Sequence, residues 1–118
     1  MAIAQKLTQK IALPQGLIDS LKADLTGLDE FRAKIQKTLA DPDNTVTQII
    51  EIILAGGIVF DSSDIHIEGQ ENDAKLRVRL DGVLQDVITF DKKTYEALVS
   101  RVKLLSEMKL NVSNRPQD

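Results

Sequence analysis

The chain contains no cysteine, which excludes disulfide bonds, thiolate metal ligands and a cysteine nucleophile. Aromatic residues make up 3% of its 118 positions, too few for a surface that stacks nucleic-acid bases. Fifteen lysines and arginines stand against 18 aspartates and glutamates, and the net charge of −3 argues against a general nucleic-acid binder. No apolar run approaches the roughly 18 residues of a membrane span, and the N-terminus lacks the apolar core of a signal peptide. The sequence therefore predicts a cytoplasmic protein.

Apolar residues recur with helical spacing through the first part of the chain. This spacing predicts three helices, over about residues 3–13, 15–25 and 28–39. A polar stretch that contains a proline, residues 41–44, then ends the pattern. We therefore divide the chain into a helical N-terminal segment, residues 1–44, and a main domain, residues 45–118.

The main domain begins with a capping signal. In Thr45-Val46-Thr47-Gln48 the hydroxyl of the first residue and the amide of the fourth are spaced to cover free N–H groups at the start of a helix. The helix that follows carries a wide apolar stripe, which includes Ile49, Ile50 and Ile53. It is therefore expected to be the central core helix.

Strict alternation of apolar and polar residues predicts strands after this helix. Residues 64–68 and 75–80 alternate, and Asp81-Gly82 is typical of a tight turn that leads into a third strand, Val83 to Phe90. Asp91 is placed to cap a last helix. The predicted fold class is α+β, with a helical lead followed by an antiparallel sheet packed against helices.

The alternation puts charged side chains on one face of this sheet. Lys75, Arg77 and Arg79 share that face, which is suited to a phosphate group or to another protein, although a solvated strand face is the ordinary explanation of such a row. Asp64, His66 and Glu68 are spaced in the same way on the preceding strand. Because a flat row rarely supplies three or four converging ligands, we predict no metal site there.

Catalytic motifs are missing from the sequence. The chain has no G-x-x-x-x-G-K-[ST] loop to cradle phosphates, so we expect no ATP hydrolysis by this chain alone and assign no catalytic residue. The pair Gly56-Gly57 is too short to bind phosphate, and a helix end or close packing explains it more simply.

Four motifs occur in the order and spacing of one known family. The chain resembles the domain that precedes the motor in secretion ATPases of the GspE/PilB type, which drive type II secretion and type IV pilus assembly. It departs from that family at Gly69, where a proline is usual, and at residues 110–114, where a more charged segment is usual. The motifs are SDIHIE at 63–68, LRVRLDGVL at 76–84, LVSRVK at 98–103 and RPQD at 115–118.

The resemblance implies a fold and a role. It implies that residues 45–118 form a PAS-like domain whose sheet is completed by residues beyond Asp118, ahead of a RecA-like motor. The domain would regulate and couple a homohexameric ATPase by closing over ATP and Mg²⁺ bound by the motor, with no cofactor of its own. Its partners would be that motor domain, neighbouring subunits and the inner-membrane secretion or pilus platform, with no nucleic acid.

The resemblance also implies site residues. Arg77 and Lys92 would approach the terminal phosphate of ATP held by the motor domain, with Lys92 standing where the family prefers arginine. Arg79 and Arg101 are candidate interface residues, and Arg101 is equally suited to a structural ion pair.

The alternative is a free-standing PAS-like module that binds a protein or small ligand and has no link to ATP. A Walker A motif about a hundred residues downstream would favour the ATPase, and a stop codon would favour the free-standing module. The sequence leaves open whether the parent protein serves secretion, pilus extension or retraction.

Overall fold

Helices form the first part of the molecule and a four-stranded antiparallel sheet forms most of the second, as the predicted α+β class requires. The computed structural model describes residues 2–3 and 13–110. Its strands follow the order β1-β2-β3-β4 across the sheet. The helices are α1 (Gln15–Asp24), α2 (Leu28–Ala40), α3 (Val46–Val59) and α4 (Lys92–Leu110); the strands are β1 (Ala2–Ile3), β2 (Asp64–Gly69), β3 (Asp73–Leu80) and β4 (Val83–Asp91).

The sequence predicts a helix that begins near Ile3, and this prediction is wrong for Ile3 itself, which lies in a strand. Ala2 and Ile3 form strand β1, which pairs antiparallel with β2 opposite His66 and Ile65. The edge of β2 offers unpaired backbone N–H and C=O groups, and an extended segment satisfies them where a helix does not. The rest of that predicted helix, and the motif at 115–118, lie outside the described residues.

Helix α3 is the central core helix, as its sequence predicts. Thr45 Oγ1 accepts a hydrogen bond from Gln48 N at 3.1 Å, and Gln48 Oε1 accepts one from Thr45 N at 2.9 Å, so the capping box is complete. Ile50, Ile53 and Leu54 are fully buried. They belong to one apolar cluster with residues of both the helical segment and the sheet, so the core is shared by the two predicted parts.

Gly56 and Gly57 lie inside α3 where the helix packs closely against the rest of the core. A side-chain carbon at Gly56 would overlap the ring of Phe31 on α2, and one at Gly57 would lie 2.5 Å from Ile65 Cδ1 on β2. Close packing therefore explains this glycine pair, which is one of the two structural explanations that the sequence offered.

The sheet separates an apolar face from a polar one. Ile65 and Ile67 of β2 and Leu76 and Val78 of β3 are buried, while the residues between them are partly exposed. The hairpin between β3 and β4 turns at Asp81-Gly82, with φ values of 52° and 82°. Positive φ at both positions is what a two-residue hairpin turn with matching strand twist requires.

Within residues 2–3 and 13–110, no helix combines the length and apolarity that a membrane crossing needs.

Candidate functional site

The polar face of the sheet brings together charged residues of three strands, and we call this surface the charged face. The register pairs Asp64 with Arg79, His66 with Arg77, and Glu68 with Lys75. Strand β4 adds Asp86 opposite Arg77. The charged face is therefore defined by Asp64, His66 and Glu68 of β2, Lys75, Arg77 and Arg79 of β3, and Asp86 of β4.

An irregularity in β4 places the side chain of Asp86 on the charged face. Leu76 pairs with Ile88 but the next residue, Arg77, pairs with Asp86, so Val87 is an extra residue in β4. Val87 and Ile88 are both buried, which breaks the alternation of the strand. Without this β-bulge, alternation would turn the carboxylate to the apolar side together with Ile88. The bulge thus brings the carboxylate of Asp86 next to Arg77.

Helix α2 satisfies the backbone of the bulge. Arg32 Nε donates to the carbonyl oxygen of Val87 at 2.6 Å, and its Nη1 donates to Asp29 Oδ1 at 3.0 Å. A bulge removes backbone groups from the regular ladder, and an unsatisfied carbonyl is costly. Arg32 therefore ties the helical segment to the strand position that carries Asp86.

Arg77 is held between two carboxylates. Its Nε donates to Asp86 Oδ1 at 2.7 Å and its Nη1 to Glu68 Oε1 at 3.4 Å, and the side chain is 31% exposed. Lys75 Nζ contacts the other oxygen of Asp86 at 3.4 Å. The hydrogen bond from Arg77, helped by the nearby charges of Arg77 and Lys75, lowers the pKa of Asp86 below its ordinary value of 3.8. Asp86 is therefore a carboxylate at neutral pH.

Arg79 has a different set of partners on the same face. Its Nε donates to Asp64 Oδ2 at 3.1 Å and its Nη1 to the carbonyl oxygen of Gly82 at 3.4 Å. The other oxygen of Asp64 is buried and lies 2.7 Å from His66 Nε2. Arg79 is thus fixed at the turn end of the hairpin.

The basic row that the sequence predicts is balanced by acidic partners. Lys75, Arg77 and Arg79 each contact a carboxylate of β2 or β4, and the three cations are matched by Asp64, Glu68 and Asp86. Sequence alternation reveals the cations and the β2 carboxylates but misses Asp86. The adjacent buried apolar residues 87 and 88 are the sequence signal that indicates a bulge.

Lys92 lies away from Arg77. It is exposed at the start of α4, one residue beyond the register pair of Asp73 and Asp91, which places its backbone about 16 Å along the strands from that of Arg77. Asp91 caps this helix by accepting from Thr94 N at 2.7 Å. A hydrogen bond with the Thr94 side chain, together with this backbone bond, lowers the pKa of Asp91 below its ordinary value. Arg77 and Lys92 are therefore separate points on the surface.

Arg101 joins two helices. Its Nη1 donates to Thr47 Oγ1 at 2.8 Å, which links α4 to the first turn of α3, and the residue is half-buried. The structure thus brings Arg77 and Arg79 together on the charged face and places Arg101 at a helix contact.

The acidic residues and histidine of the charged face do not converge. Among the described residues there is no group of three or more histidine, cysteine, aspartate or glutamate side chains that could hold a metal ion.

Fold and site together define a class: an α+β domain with a helical lead and an arginine-bearing, charge-balanced sheet face. The family model described as type II/IV secretion system protein matches residues 39–118, so the chain belongs to this family. This agrees with the resemblance carried by the motifs.

Similar proteins come from several bacteria. The type II secretion system protein E of Aeromonas hydrophila is 38% identical over 79 residues, covering 67% of this chain and 16% of that protein. The type IV pilus assembly ATPase PilB of Myxococcus xanthus is 33% identical over 101 residues, covering 86% of this chain and 17% of that protein. The type II secretion system protein HxcR of Pseudomonas aeruginosa is 32% identical over 119 residues, covering all of this chain and 25% of that protein. The chain thus spans a quarter or less of their lengths. No solved structure matches it significantly.

Proposed function

We propose that this chain is the regulatory and coupling domain that precedes the motor in a type II secretion or type IV pilus assembly ATPase. In this role the domain closes over ATP and Mg²⁺ bound by the motor. Membership of the type II/IV secretion system family supports the proposal, as does similarity to a relative named as a pilus assembly ATPase. The chain itself supplies no phosphate-binding loop, so its contribution is made in trans to the nucleotide site.

The observation that carries the proposal is the position of Arg77. Its guanidinium is partly exposed on the charged face and is held by the carboxylates of Asp86 and Glu68. A guanidinium has more N–H donors than these two bonds use, and its planar fork matches a phosphate group. These features support the proposal that Arg77 meets an anion presented by another domain.

The motor-bound phosphate would gain charge stabilisation from Arg77 as its terminal group is transferred. Little covalent chemistry is needed from the protein in phosphoryl transfer, and positioned cations stabilise the charge that spreads over the transferring oxygens. The cation would be aligned before closure, because two carboxylates already restrict its rotamers. Arg77 is the residue of this chain to which we assign the phosphate contact.

Lys92 would make a second contact with the bound nucleotide. The separation of about 16 Å between the backbones of Arg77 and Lys92 requires both side chains to extend toward a common phosphate. A lysine offers a point charge without the bidentate geometry of arginine, so its contribution is the smaller one. Arg79 and Arg101 are proposed to support interfaces with the motor or a neighbouring subunit.

The assembled protein would be a homohexamer that works at the cytoplasmic side of the inner membrane. Its partners would be its own motor domain, adjacent subunits and the platform proteins of the secretion or pilus machinery. The bond from Arg32 to Val87 links the helical segment to the charged face, and motion of one part would reach the other through it. A PAS-like fold of residues 45–118 completes the proposal.

Steady-state ATP turnover of the assembled full-length protein tests this role. Arg77→Ala should lower kcat tenfold or more while KM changes less, because a donor aimed at developing charge acts mainly in the transition state. Arg79→Ala is the matched control, since both arginines lie on β3 and each donates its Nε to an aspartate. Equal and small effects of the two substitutions would show that the row is only a solvated face.

A further inference from the structure

We propose that Asp86 is the resident counter-anion of Arg77, and that a phosphate group reaches this arginine by displacing Asp86. The inference rests on the proposed phosphate role of Arg77 and names the group that positions and restrains it. Asp86 makes the shorter of the two bonds recorded for Arg77 with carboxylates, at 2.7 Å against 3.4 Å to Glu68. It is therefore the main competitor of an incoming anion.

The strand is shaped to provide this carboxylate. Asp86 reaches the charged face only because Val87 is an extra residue in β4. The bulge is held from outside the sheet, because Arg32 of α2 donates to the carbonyl oxygen of Val87 at 2.6 Å. A local distortion with its own side-chain support is a built feature rather than a random surface pairing.

Release of Arg77 leaves Asp86 with another cation. The oxygen of Asp86 that Arg77 does not use lies 3.4 Å from Lys75 Nζ. When a phosphate takes the Nε edge of Arg77, the carboxylate keeps this second partner and also remains open to water. The exchange thus replaces one charge-assisted hydrogen bond by another, and a phosphate can bind the arginine fork at two points.

Because a phosphate must displace Asp86, Arg77 would bind a phosphate that is fixed by the motor domain in preference to a free phosphate in solution. A free anion in solution must compete with a carboxylate that is already in place, whereas a phosphate fixed by the motor domain arrives at high effective concentration. Asp86 would therefore weaken binding of free phosphates to the charged face and keep the guanidinium aligned between catalytic cycles.

Titration of the ¹⁵N-labelled 118-residue chain with inorganic tripolyphosphate tests the displacement, with the Nε–H signals of Arg77 and Arg79 as reporters. The Asp86→Asn chain should reach half-saturation of the Arg77 signal at a two- to five-fold lower concentration than the wild-type chain, a modest factor because exposed ion pairs are weak. Asp64→Asn is the matched control, since it removes the same charge from the same face but from the partner of Arg79. Its effect on the Arg77 signal should stay within about 1.5-fold, given the distance dependence of screened charges.

Equal effects of the two substitutions on Arg77, or no response of Arg77 in any of the three chains, would overturn the inference. If the Asp86→Asn chain does not fold, the wild-type chain alone can still test the displacement. Tripolyphosphate that displaces Asp86 from Arg77 removes the hydrogen bond that lowers the pKa of Asp86, so this pKa must rise during the titration. A pKa of Asp86 that stays constant while the Arg77 signal shifts would also overturn the inference. The titration needs no motor domain, so its failure is distinct from a failure of the turnover test on Arg77→Ala.

Discussion

A single methyl group at position 56 is expected to destabilise the whole domain. Gly56 is buried in α3, and a side-chain carbon built there overlaps atoms Cε1 and Cζ of the Phe31 ring and lies 3.0 Å from Cδ1. Phe31 is fully buried and its ring centroid lies 5.6 Å from that of Phe60. The ring is therefore enclosed in the core and must shift against its neighbours when Gly56 becomes alanine.

Two opposing effects set the magnitude of Gly56→Ala. Alanine is favoured over glycine inside a helix by about 1 kcal/mol. Overpacking a well-filled core costs about 1–3 kcal/mol, and the overlap with Phe31 places this site at the upper end. We expect the free energy of unfolding to fall by about 2 kcal/mol, which corresponds to a decrease of about 8 °C in Tm for a domain of this size.

Urea and thermal unfolding followed by circular dichroism measure this loss. Gly16→Ala is the matched control, because the added carbon at Gly16 in helix α1 meets no atom within 4 Å beyond its chain neighbours and its own helix backbone, so this chain should be at least as stable as wild type. Adding Phe31→Leu to Gly56→Ala should cost less than the two single changes together, since the smaller side chain relieves the overlap. A Gly56→Ala chain as stable as wild type would refute the close packing of α3 on α2.

Two further predictions concern the core and the charged face. Ile53 is fully buried in α3, so Ile53→Ala should lower the free energy of unfolding by about 2–5 kcal/mol in urea denaturation, and an unchanged midpoint would place that helix on the surface. Carboxyl NMR should give Asp86 a pKa below 3.8 that returns toward 3.8 in Arg77→Ala. Because folding lowers the pKa of Asp86, the ionised carboxylate stabilises the folded state above the unfolded-state pKa, and this stabilisation is lost as pH falls through the folded-state pKa. The stability difference between wild type and Arg77→Ala should therefore shrink as pH falls between these two pKa values. A pKa of Asp86 unaffected by Arg77→Ala would contradict the paired geometry.

Local signals in the sequence account for most of the fold. The capping box at Thr45 and Gln48, the helical spacing of residues 15–40 and the alternation in β2 and β3 are each decided by neighbours a few positions away. The Asp81-Gly82 turn likewise needs only residues that tolerate positive φ. These features agree with one another and with the apolar core, and that agreement makes them predictable.

The features that sequence reasoning missed depend on distant contacts. The bulge at Val87 is stabilised by Arg32, which is 55 positions away, so the adjacent apolar residues 87 and 88 indicate an irregularity without identifying the contact that supports it. The local pattern therefore does not identify Asp86 as the partner of Arg77. Ile3 has helical spacing to Leu7 and Ile11, yet β1 forms because the edge of β2 offers backbone hydrogen bonds. In both cases tertiary pairing overrides a local pattern.

A structure of the full-length protein with a non-hydrolysable ATP analogue tests the central claim most directly. The quantity to measure is the distance from the Arg77 guanidinium to the terminal phosphate of the nucleotide bound by the motor. The account predicts a hydrogen-bond distance of about 3 Å in at least one subunit, with Asp86 released toward Lys75 in that subunit. An Arg77 that stays on Asp86, away from the phosphate, in every nucleotide-bound subunit would contradict it.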